Sequence, residues 1–188
     1  MSIDNVRKYL KQFGRENDIM EFPVSSATVS LAADALNVIP ARITKTLALK
    51  DGDSCIVIAV AGDGKIDNRK FKDEFGFKAK MLSPEETLEL TGHAVGGVCP
   101  FALNKNIKTY CDISLKRFDT VFPACGSSNS AVELTCDELF NYSKAETSSS
   151  TSKLREIVCE GSNILGLSFL DHIIIGNSYK SLKESGLM

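Results

Sequence analysis

Residues 44–61 read TKTLALKDGDSCIVIAVA, and this stretch decides the fold. Two runs rich in aliphatic and β-branched residues, Thr44–Leu49 and Cys55–Ala61, flank the segment DGD at 51–53. Such runs favour strands, and a short Gly/Asp segment between two of them is typical of a β-hairpin. The sequence therefore predicts a hairpin over these residues.

Helix signals lie on both sides of the hairpin. Apolar residues recur at helical spacing after Ser2 and stop before Gly14, which predicts a first helix. Two capping boxes, at residues 83–86 and 135–138, each predict a helix start, because the cap and the third helical residue satisfy each other's free donors. Helices are predicted over residues 28–36, 67–75 and 83–90 and from residue 135 onward.

Further short strands complete the pattern. The extended or β-rich segments are residues 19–24, 107–111, 120–124 and 131–134. Helices and strands alternate without a regular βαβ repeat, and the connections between strands are short. This arrangement predicts an α+β domain with a compact, mixed or largely antiparallel sheet flanked by helices.

The composition fits a chain with one buried core and a small appendage. It has 188 residues, of which 43% are hydrophobic, and its formal net charge is −2. No overall basic field attracts nucleic acid, so we expect no DNA partner, although a local basic face would suffice for an RNA end. No apolar run approaches the ~20 residues of a membrane span, and no signal peptide is evident at the start. We therefore expect a cytoplasmic protein with no membrane partner.

The cysteines and histidines give no pattern of a metal site. Six cysteines, at positions 55, 99, 111, 125, 136 and 159, form no C-x-x-C pair, and there are two histidines. The pattern favours reduced thiols packed as small apolar groups, and it predicts neither a metal nor a cofactor.

Residues 92–101, GHAVGGVCPF, form a glycine-rich loop between a helix-like and a strand-like run. The adjacent Gly96 and Gly97 let a ligand approach the backbone closely, and Pro100 withholds an N–H. Such a loop presents main-chain groups to a small ligand. A plain turn between a helix and a strand is the alternative interpretation.

Five segments occur in an order and spacing that resemble one family: ARITKTL (41–47), VAGD (60–63), LSPEE (82–86), GGVCPF (96–101) and AVEL (131–134). Together they resemble the YbaK family of aminoacyl-tRNA deacylases, which is similar to the editing domain inserted in bacterial prolyl-tRNA synthetases. The resemblance implies a mixed, curved sheet or β-barrel flanked by helices. It also implies trans-editing, the hydrolysis of the ester that joins a wrong amino acid, typically Ala or Cys, to tRNA-Pro. The implied partners are the tRNA 3′ end and prolyl-tRNA synthetase.

The resemblance also implies site residues. Lys45 matches the characteristic lysine of the family, expected to bind a phosphate or polar group of the tRNA 3′ end; otherwise it would be an ordinary exposed strand lysine. Gly96, Gly97 and Pro100 complete the predicted catalytic set, since their backbone is expected to position water and the substrate carbonyl. The predicted substrate-binding set is Val29, His93, Cys99, Phe101, Cys125, Gly126 and Ser127.

Other interpretations stay open at this stage. A family member could bind an aminoacyl-tRNA end or a synthetase without turnover. Cys99 and His93 could form a nucleophile and its base, although a buried cysteine is more often inert packing. The basic stretch 65–80 could contact the phosphates of the acceptor stem, or it could be a solvated face with local ion pairs.

The sequence predicts a division of the chain after the YbaK-like domain of residues 1–142. Residues 143–152 are Ser/Thr-rich and predict a linker, and residues 153–188 predict a helix–strand appendage. Residues 165–177, LGLSFLDHIIIGN, resemble the extreme end of a RadC-type JAB/MPN domain. The His-x-His-Pro element of that family's zinc site is absent from the sequence, so no metal is assigned to the appendage.

Overall fold

The computed structural model describes residues 2–104 and 107–148, and the backbone of two short strands near the C-terminus. The helices are α1 (Ser2–Leu10), α2 (Val29–Leu36), α3 (Asn68–Phe75), α4 (Pro84–Thr91) and α5 (Cys136–Ser143). The strands of the main body are β1 (Met20–Glu21), β2 (Ile43–Asp51), β3 (Ser54–Ala61), β4 (Lys108–Asp112), β5 (Thr120–Pro123), β6 (Ser130–Ala131), β7 (Leu134–Thr135) and β8 (Glu146–Ser148). Short 3₁₀ helices cover Lys11–Phe13, Pro40–Arg42 and Ile113–Arg117.

Local signals place the helix boundaries. Both predicted capping boxes are present: Ser83 pairs with Glu86 at the start of α4, and Thr135 pairs with Glu138 at the start of α5. Gly14 ends the first helical segment in the left-handed conformation, at φ 70°, which a residue without Cβ adopts easily. The helices predicted from these signals are therefore confirmed to within one or two residues.

One mixed sheet carries the fold, with the strand order β7-β5-β2-β3-β4-β8. Its longest ladder is the predicted antiparallel hairpin of β2 and β3, which runs from Thr44 opposite Ala61 to Asp51 opposite Ser54. The pairs β2–β5, β3–β4 and β4–β8 are parallel, and β5–β7 is antiparallel. The α+β class with a curved, mixed sheet is confirmed, and parallel pairings contribute much of the sheet.

Helices cover both faces of the hairpin. On one face Ile58 and Val60 pack against Phe71 of α3. On the other face Ala59 and Ala61 belong to the largest core cluster, which also holds Val6 of α1. The strand β3 is therefore buried on both sides, which explains why its sequence is apolar at nearly every position.

Two strand predictions need correction. The segment predicted as one strand over residues 131–134 is split between β6 and β7, which pair with different neighbours. Glu146–Ser148, within the predicted linker, forms β8 and pairs with β4 at the sheet edge. The sheet thus extends past residue 142, because the backbone after α5 finds a free edge to pair with. The division into domain, linker and appendage itself stays a prediction.

Near the C-terminus, Ile173–Ile175 and Tyr179–Ser181 form an antiparallel hairpin, β9 and β10. The isoleucine run is therefore paired on one edge rather than left as a single strand. The helical part of the predicted appendage, Cys159 and His172 lie outside the described residues. None of the described helices has the length and apolar character needed to cross a membrane.

Candidate functional site: a cleft at the open edge of β2

A cleft of about 370 Å³ lies along one edge of β2. Within the described residues, β5 pairs on this edge with Ile43 and Thr44 only. Contacts resume at Ala48, which accepts from the Leu82 N–H, next to the bridge from Leu49 to Met81. The walls of the cleft come from β2, the ends of β5 and β6, the segment 81–87, the loop 95–98 and the start of α2. The cleft therefore occupies a gap in the sheet, where the edge of β2 is not paired with another described strand.

Two hydroxyls on the cleft wall have no hydrogen-bond partner among the residues that the structure describes. Thr44 and Thr46 lie on the same face of β2, because side chains alternate along a strand. Their Oγ1 atoms are buried and make no hydrogen bond within the described part of the chain. A buried polar atom without a partner is costly, so such atoms in a cleft indicate a place where a ligand or water binds. The sequence prediction missed both threonines, which flank the lysine that it selected.

Lys45 also lines the cleft, from the opposite face of the strand. Its Nζ donates a hydrogen bond to the Gly64 carbonyl oxygen at 2.5 Å. Burial lowers the pKa of the Lys45 ammonium, and the nearby Asp63 carboxylate opposes this shift. An ammonium has three N–H donors, so the bond to Gly64 leaves donors for a ligand.

The turn that holds Lys45 is anchored from the other side. The Arg117 guanidinium contacts both oxygens of the Asp63 carboxylate, with Nη1 at 3.1 Å from Oδ2. Arg117 also donates from Nε to the Ser114 carbonyl at 2.8 Å and stacks over the Phe118 ring. A bidentate pair of this kind fixes geometry as well as charge, so the carbonyl of Gly64 has a defined position.

The glycine-rich loop packs directly on a second loop. A Cβ at Gly97 would lie 2.8 Å from the Ser127 nitrogen and 2.9 Å from the Gly126 carbonyl carbon. Gly96 has φ +89° and faces Ala27 and Ser128, and it lines the cleft. Only glycine permits this close approach of the two backbones. The structure thus brings together the loops around Gly96 and Gly126 that the sequence selected.

His93 is buried beneath this loop. Its Nε2 hydrogen-bonds to the Phe101 carbonyl oxygen at 2.8 Å, and its Nδ1 hydrogen-bonds to the Ser2 hydroxyl. Because a carbonyl only accepts, Nε2 carries the proton, and Nδ1 of the neutral ring accepts from Ser2. Burial lowers the pKa of His93, and the bond to Phe101 opposes this in part. The ring therefore ties the start of α1 to the glycine-rich loop.

The lowered pKa of His93 makes stability depend on pH. The unfolded chain binds the proton near the ordinary pKa of about 6.5, before the folded protein does. The free energy of unfolding should therefore decrease as the pH falls below about 6.5, and His93→Gln should flatten this decrease. Urea unfolding midpoints at a series of pH values measure the effect. Identical pH slopes for the wild type and the variant would contradict it.

Cys99, Phe101 and Cys125 are fully buried in the main core rather than in the cleft wall. Burial raises the pKa of the Cys99 thiol to about 12, and its Sγ lies 3.7 Å from the Phe101 carbonyl oxygen. His93 lies 3.6 Å from the same sulfur, yet both ring nitrogens are bonded elsewhere. The geometry gives Cys99 neither a free base nor a place in the cleft wall, and it therefore disfavours the cysteine-dependent hydrolase.

Cys99→Ala provides the corresponding test. For the deacylation that the family resemblance implies, we expect a rate within about three-fold of the wild-type rate, because a thiol that stays protonated is not a nucleophile. The lost sulfur should lower the free energy of unfolding by about 1 kcal/mol. The same preparation serves for the rate and for a urea unfolding curve. A hundred-fold loss of activity with little loss of stability would instead support a nucleophilic Cys99.

The cleft thus contains part of the predicted set. Of those residues, Val29, Lys45 and Gly96 line it within the described chain. Gly97 and Gly126 form the contact between the loops, and Ser127 donates to Ser130 of the cleft wall at 2.7 Å. Buried residues support the loops from behind, and these are His93, Cys99, Pro100, Phe101 and Cys125. Their direct roles in substrate binding or catalysis stay predictions.

No group of three or more potential metal ligands is present within the described part of the chain. Of the cysteines, the five within that part are free thiols, and four of them are buried.

Comparison with known proteins places this chain in a family. The model of the aminoacyl-tRNA editing domain matches residues 24–142. YwhH of Bacillus subtilis (strain 168), an uncharacterized protein, is 56% identical over 147 residues, which cover 77% of this chain and 94% of YwhH. The proline–tRNA ligase of Kosmotoga olearia is 29% identical over 90 residues, 47% of this chain. The chain spans only 16% of that ligase.

Solved structures agree with the sequence matches. A protein described as a candidate trans-editing enzyme for prolyl-tRNA synthetase has a TM-score of 0.73 and 28% identity, covering 80% of this chain and 97% of its own. The hypothetical protein APE2540 has a TM-score of 0.71 and 28% identity, with 79% and 99% covered. The family match ends at residue 142, and the resemblance of the tail to RadC is not borne out. The chain belongs to the aminoacyl-tRNA editing domain family, the YbaK-like group related to the editing domain of prolyl-tRNA synthetases.

Proposed function

We propose that the protein is a trans-editing hydrolase that deacylates mischarged tRNA-Pro carrying Ala or Cys. The observation that carries the proposal is the cleft at the open edge of β2, which combines Lys45, two unpartnered threonine hydroxyls and the glycine-rich loop. Membership of the editing domain family supports the same reaction class.

The proposed reaction needs a positioned water rather than a strong nucleophile, because an aminoacyl ester is already activated. Water attacks the ester carbonyl carbon, and the bond from that carbon to the ribose oxygen breaks. The amino acid leaves with one oxygen from water, and the ribose regains its hydroxyl. Backbone groups of the loop at Gly96 and the Lys45 ammonium would orient the tRNA end and stabilise the developing oxyanion.

Editing of this kind follows from the limits of binding selectivity. A synthetase pocket for proline rejects a smaller side chain by only ~1–3 kcal/mol per methylene, so a second site must hydrolyse the error. The apolar part of the cleft wall, which includes Val29, Ile43 and Phe122, would limit the size of the accepted side chain. A small aminoacyl group such as Ala or Cys would be accepted under this size limit.

Exposed basic residues on and near α3 give a candidate contact for the tRNA acceptor stem. Lys65, Arg69 and Lys72 are exposed, and they are close in sequence to the Gly64 carbonyl that holds Lys45. Opposite charges on the phosphates would attract this face over a few ångströms, and salt would weaken the attraction.

The combined change Arg69→Glu and Lys72→Glu tests this contact. We expect KM for charged tRNA to rise about ten-fold at low salt with little change in kcat, because the two residues would bind phosphates and not the ester. The charge reversal Lys11→Glu on the segment after α1 is the matched control. Equal KM values for the double variant and the control would favour a solvated helix face.

The proposal is tested by incubating the protein with Ala-tRNA-Pro and Cys-tRNA-Pro in water enriched in ¹⁸O. We expect rapid loss of at least one charged tRNA, intact tRNA as product, and one ¹⁸O atom in the released amino acid. Tight binding of the charged tRNA without release would instead indicate a non-catalytic binding module. Loss of charge without ¹⁸O in the amino acid would contradict hydrolysis by water.

A further inference from the structure

The main-chain groups of β2 point alternately to its two neighbours, as in any extended strand. On the side away from β3, the Leu82 N–H donates to the Ala48 carbonyl at 3.3 Å, and the Lys50 N–H donates to the Lys80 carbonyl at 2.8 Å. Thr46 lies two residues before Ala48 in the same regular ladder. Its N–H and C=O therefore both point to that side, away from β3 and toward the cleft.

Neither neighbour on that side reaches Thr46. The parallel ladder with β5 ends at Thr44 opposite Pro123, and the segment 80–82 begins its contacts at Ala48. Within residues 2–104 and 107–148, the Thr46 N–H and C=O thus have no strand partner on the cleft side. The gap is centred on Thr46, because Thr44 pairs with β5 and the Ala48 C=O already accepts from Leu82.

The side chains of Thr44 and Thr46 line the same cleft. The Oγ1 atoms of Thr44 and Thr46 are both buried and have no hydrogen-bond partner among the described residues, and Thr44 as a whole is 4% exposed. This observation is independent of the main-chain argument, since it concerns the side chains. The main-chain N–H and C=O of Thr46 and the hydroxyls of Thr44 and Thr46 are therefore available to one ligand beside Thr46.

The chemistry of the gap specifies the ligand. In an antiparallel pair, one residue exchanges two bonds with the residue opposite: its N–H donates to a carbonyl and its C=O accepts from an N–H. An aminoacyl ester has an amine on one side of its Cα and a carbonyl on the other. A strand residue has its hydrogen-bonding groups, N–H and C=O, in the same arrangement. A peptide strand needs a longer free edge, and here both ends are closed.

We propose that Thr46 binds the aminoacyl group as a single β-paired residue, with its C=O accepting from the α-amino group and its N–H donating to the ester carbonyl. This inference rests on the proposed deacylase function and deepens it, because it names the feature that selects a free α-amine. The Thr44 and Thr46 hydroxyls supply further hydrogen bonds to the same group. The N–H of Thr46 also holds the carbonyl that water attacks.

Two non-hydrolysable analogues test the amine contact without relying on turnover. They are 3′-alanylamino-3′-deoxyadenosine and 3′-propionylamino-3′-deoxyadenosine, which share the carbonyl and the methyl group and differ in the amine. Calorimetric titration of the full chain should show at least about ten-fold tighter binding of the alanyl analogue, as expected for a charge-assisted hydrogen bond. Equal affinities, or no binding of either analogue, would overturn the proposal.

Two variants test the N–H contact. Thr46→Val removes the hydroxyl alone, whereas Thr46→Pro removes the hydroxyl and the N–H, which the fold does not use on this edge. Both analogues should bind about five-fold more weakly to Thr46→Pro than to Thr46→Val, the effect of one hydrogen bond. Equal binding by the two variants would contradict the contact. A melting curve checks that Thr46→Pro folds, and if it does not, the analogue pair decides alone.

These results separate the subsite from the proposed function. If mischarged tRNA is hydrolysed but the two analogues bind equally, the deacylase function is supported and the Thr46 subsite is contradicted. If the affinities of the analogues differ as expected but no charged tRNA is hydrolysed, the Thr46 subsite is supported as a binding site and the deacylase function is contradicted.

Discussion

Lys45→Ala should lower the single-turnover rate of Ala-tRNA-Pro hydrolysis by at least ~100-fold, the effect of removing a preorganised charged donor from a reaction centre. Lys45 is half-buried at the cleft and is held by the Gly64 carbonyl. Its partners fix the ammonium in place before substrate binds, so little reorganisation is needed. Quench-flow measurement of the remaining charged tRNA gives the rate directly.

Lys45→Ala should have little effect on the stability of the fold. Lys45 is partly solvated, and its removal takes away one hydrogen bond, so the free energy of unfolding should fall by about 1 kcal/mol or less. Lys108→Ala, an exposed lysine on β4, is the matched control and should keep the wild-type rate. A Lys45→Ala rate close to that of the control would remove Lys45 from the reaction.

Gly97→Ala should damage both stability and activity. The added Cβ would meet the Ser127 nitrogen at 2.8 Å and the Gly126 carbonyl carbon at 2.9 Å, and both atoms belong to backbone that cannot rotate away. Overpacking of this kind costs ~1–3 kcal/mol. The two loops must also separate, and a displacement of about 1 Å near a reaction centre can cost ~100-fold in rate. Urea unfolding and the single-turnover rate measure the two effects.

Gly52→Ala controls for the substitution itself. Gly52 has φ +58° in the β2–β3 turn, and a Cβ there meets no atom within 4 Å. The left-handed backbone alone should cost ~1–2 kcal/mol, and the deacylation rate should not change. Wild-type rate and stability in Gly97→Ala would show that the two loops are not packed as described.

Local chemistry explains what the sequence could predict. The capping boxes at Ser83 and Thr135 and the N-cap at Asp67 act within four residues, so the sequence alone locates the helix starts. The hairpin of β2 and β3 is likewise set by a short turn between two apolar runs. These elements need no information from distant parts of the chain.

Long-range pairing explains what the sequence could not predict. The edge of β2 is open at Thr46 because its pairing with β5, about eighty residues later in the chain, ends at the pair of Thr44 and Pro123. No local signal in the sequence marks that end. His93 hydrogen-bonds to Ser2, which lies ninety-one residues away along the chain. A polar loop residue and a core residue therefore look the same in the sequence. A threonine on each side of a strand lysine was the one available signal for the missed hydroxyls.

The most direct test of the central claim compares the single-turnover hydrolysis rates of Ala-tRNA-Pro, Cys-tRNA-Pro and Pro-tRNA-Pro at equal concentrations. An editing enzyme must remove the error and spare the correct product. We predict that at least one mischarged tRNA is hydrolysed ~100-fold faster than Pro-tRNA-Pro, the ratio that one small change in side-chain fit can supply. Equal rates for all three, or no hydrolysis of the mischarged species above the uncatalysed rate, would contradict the account.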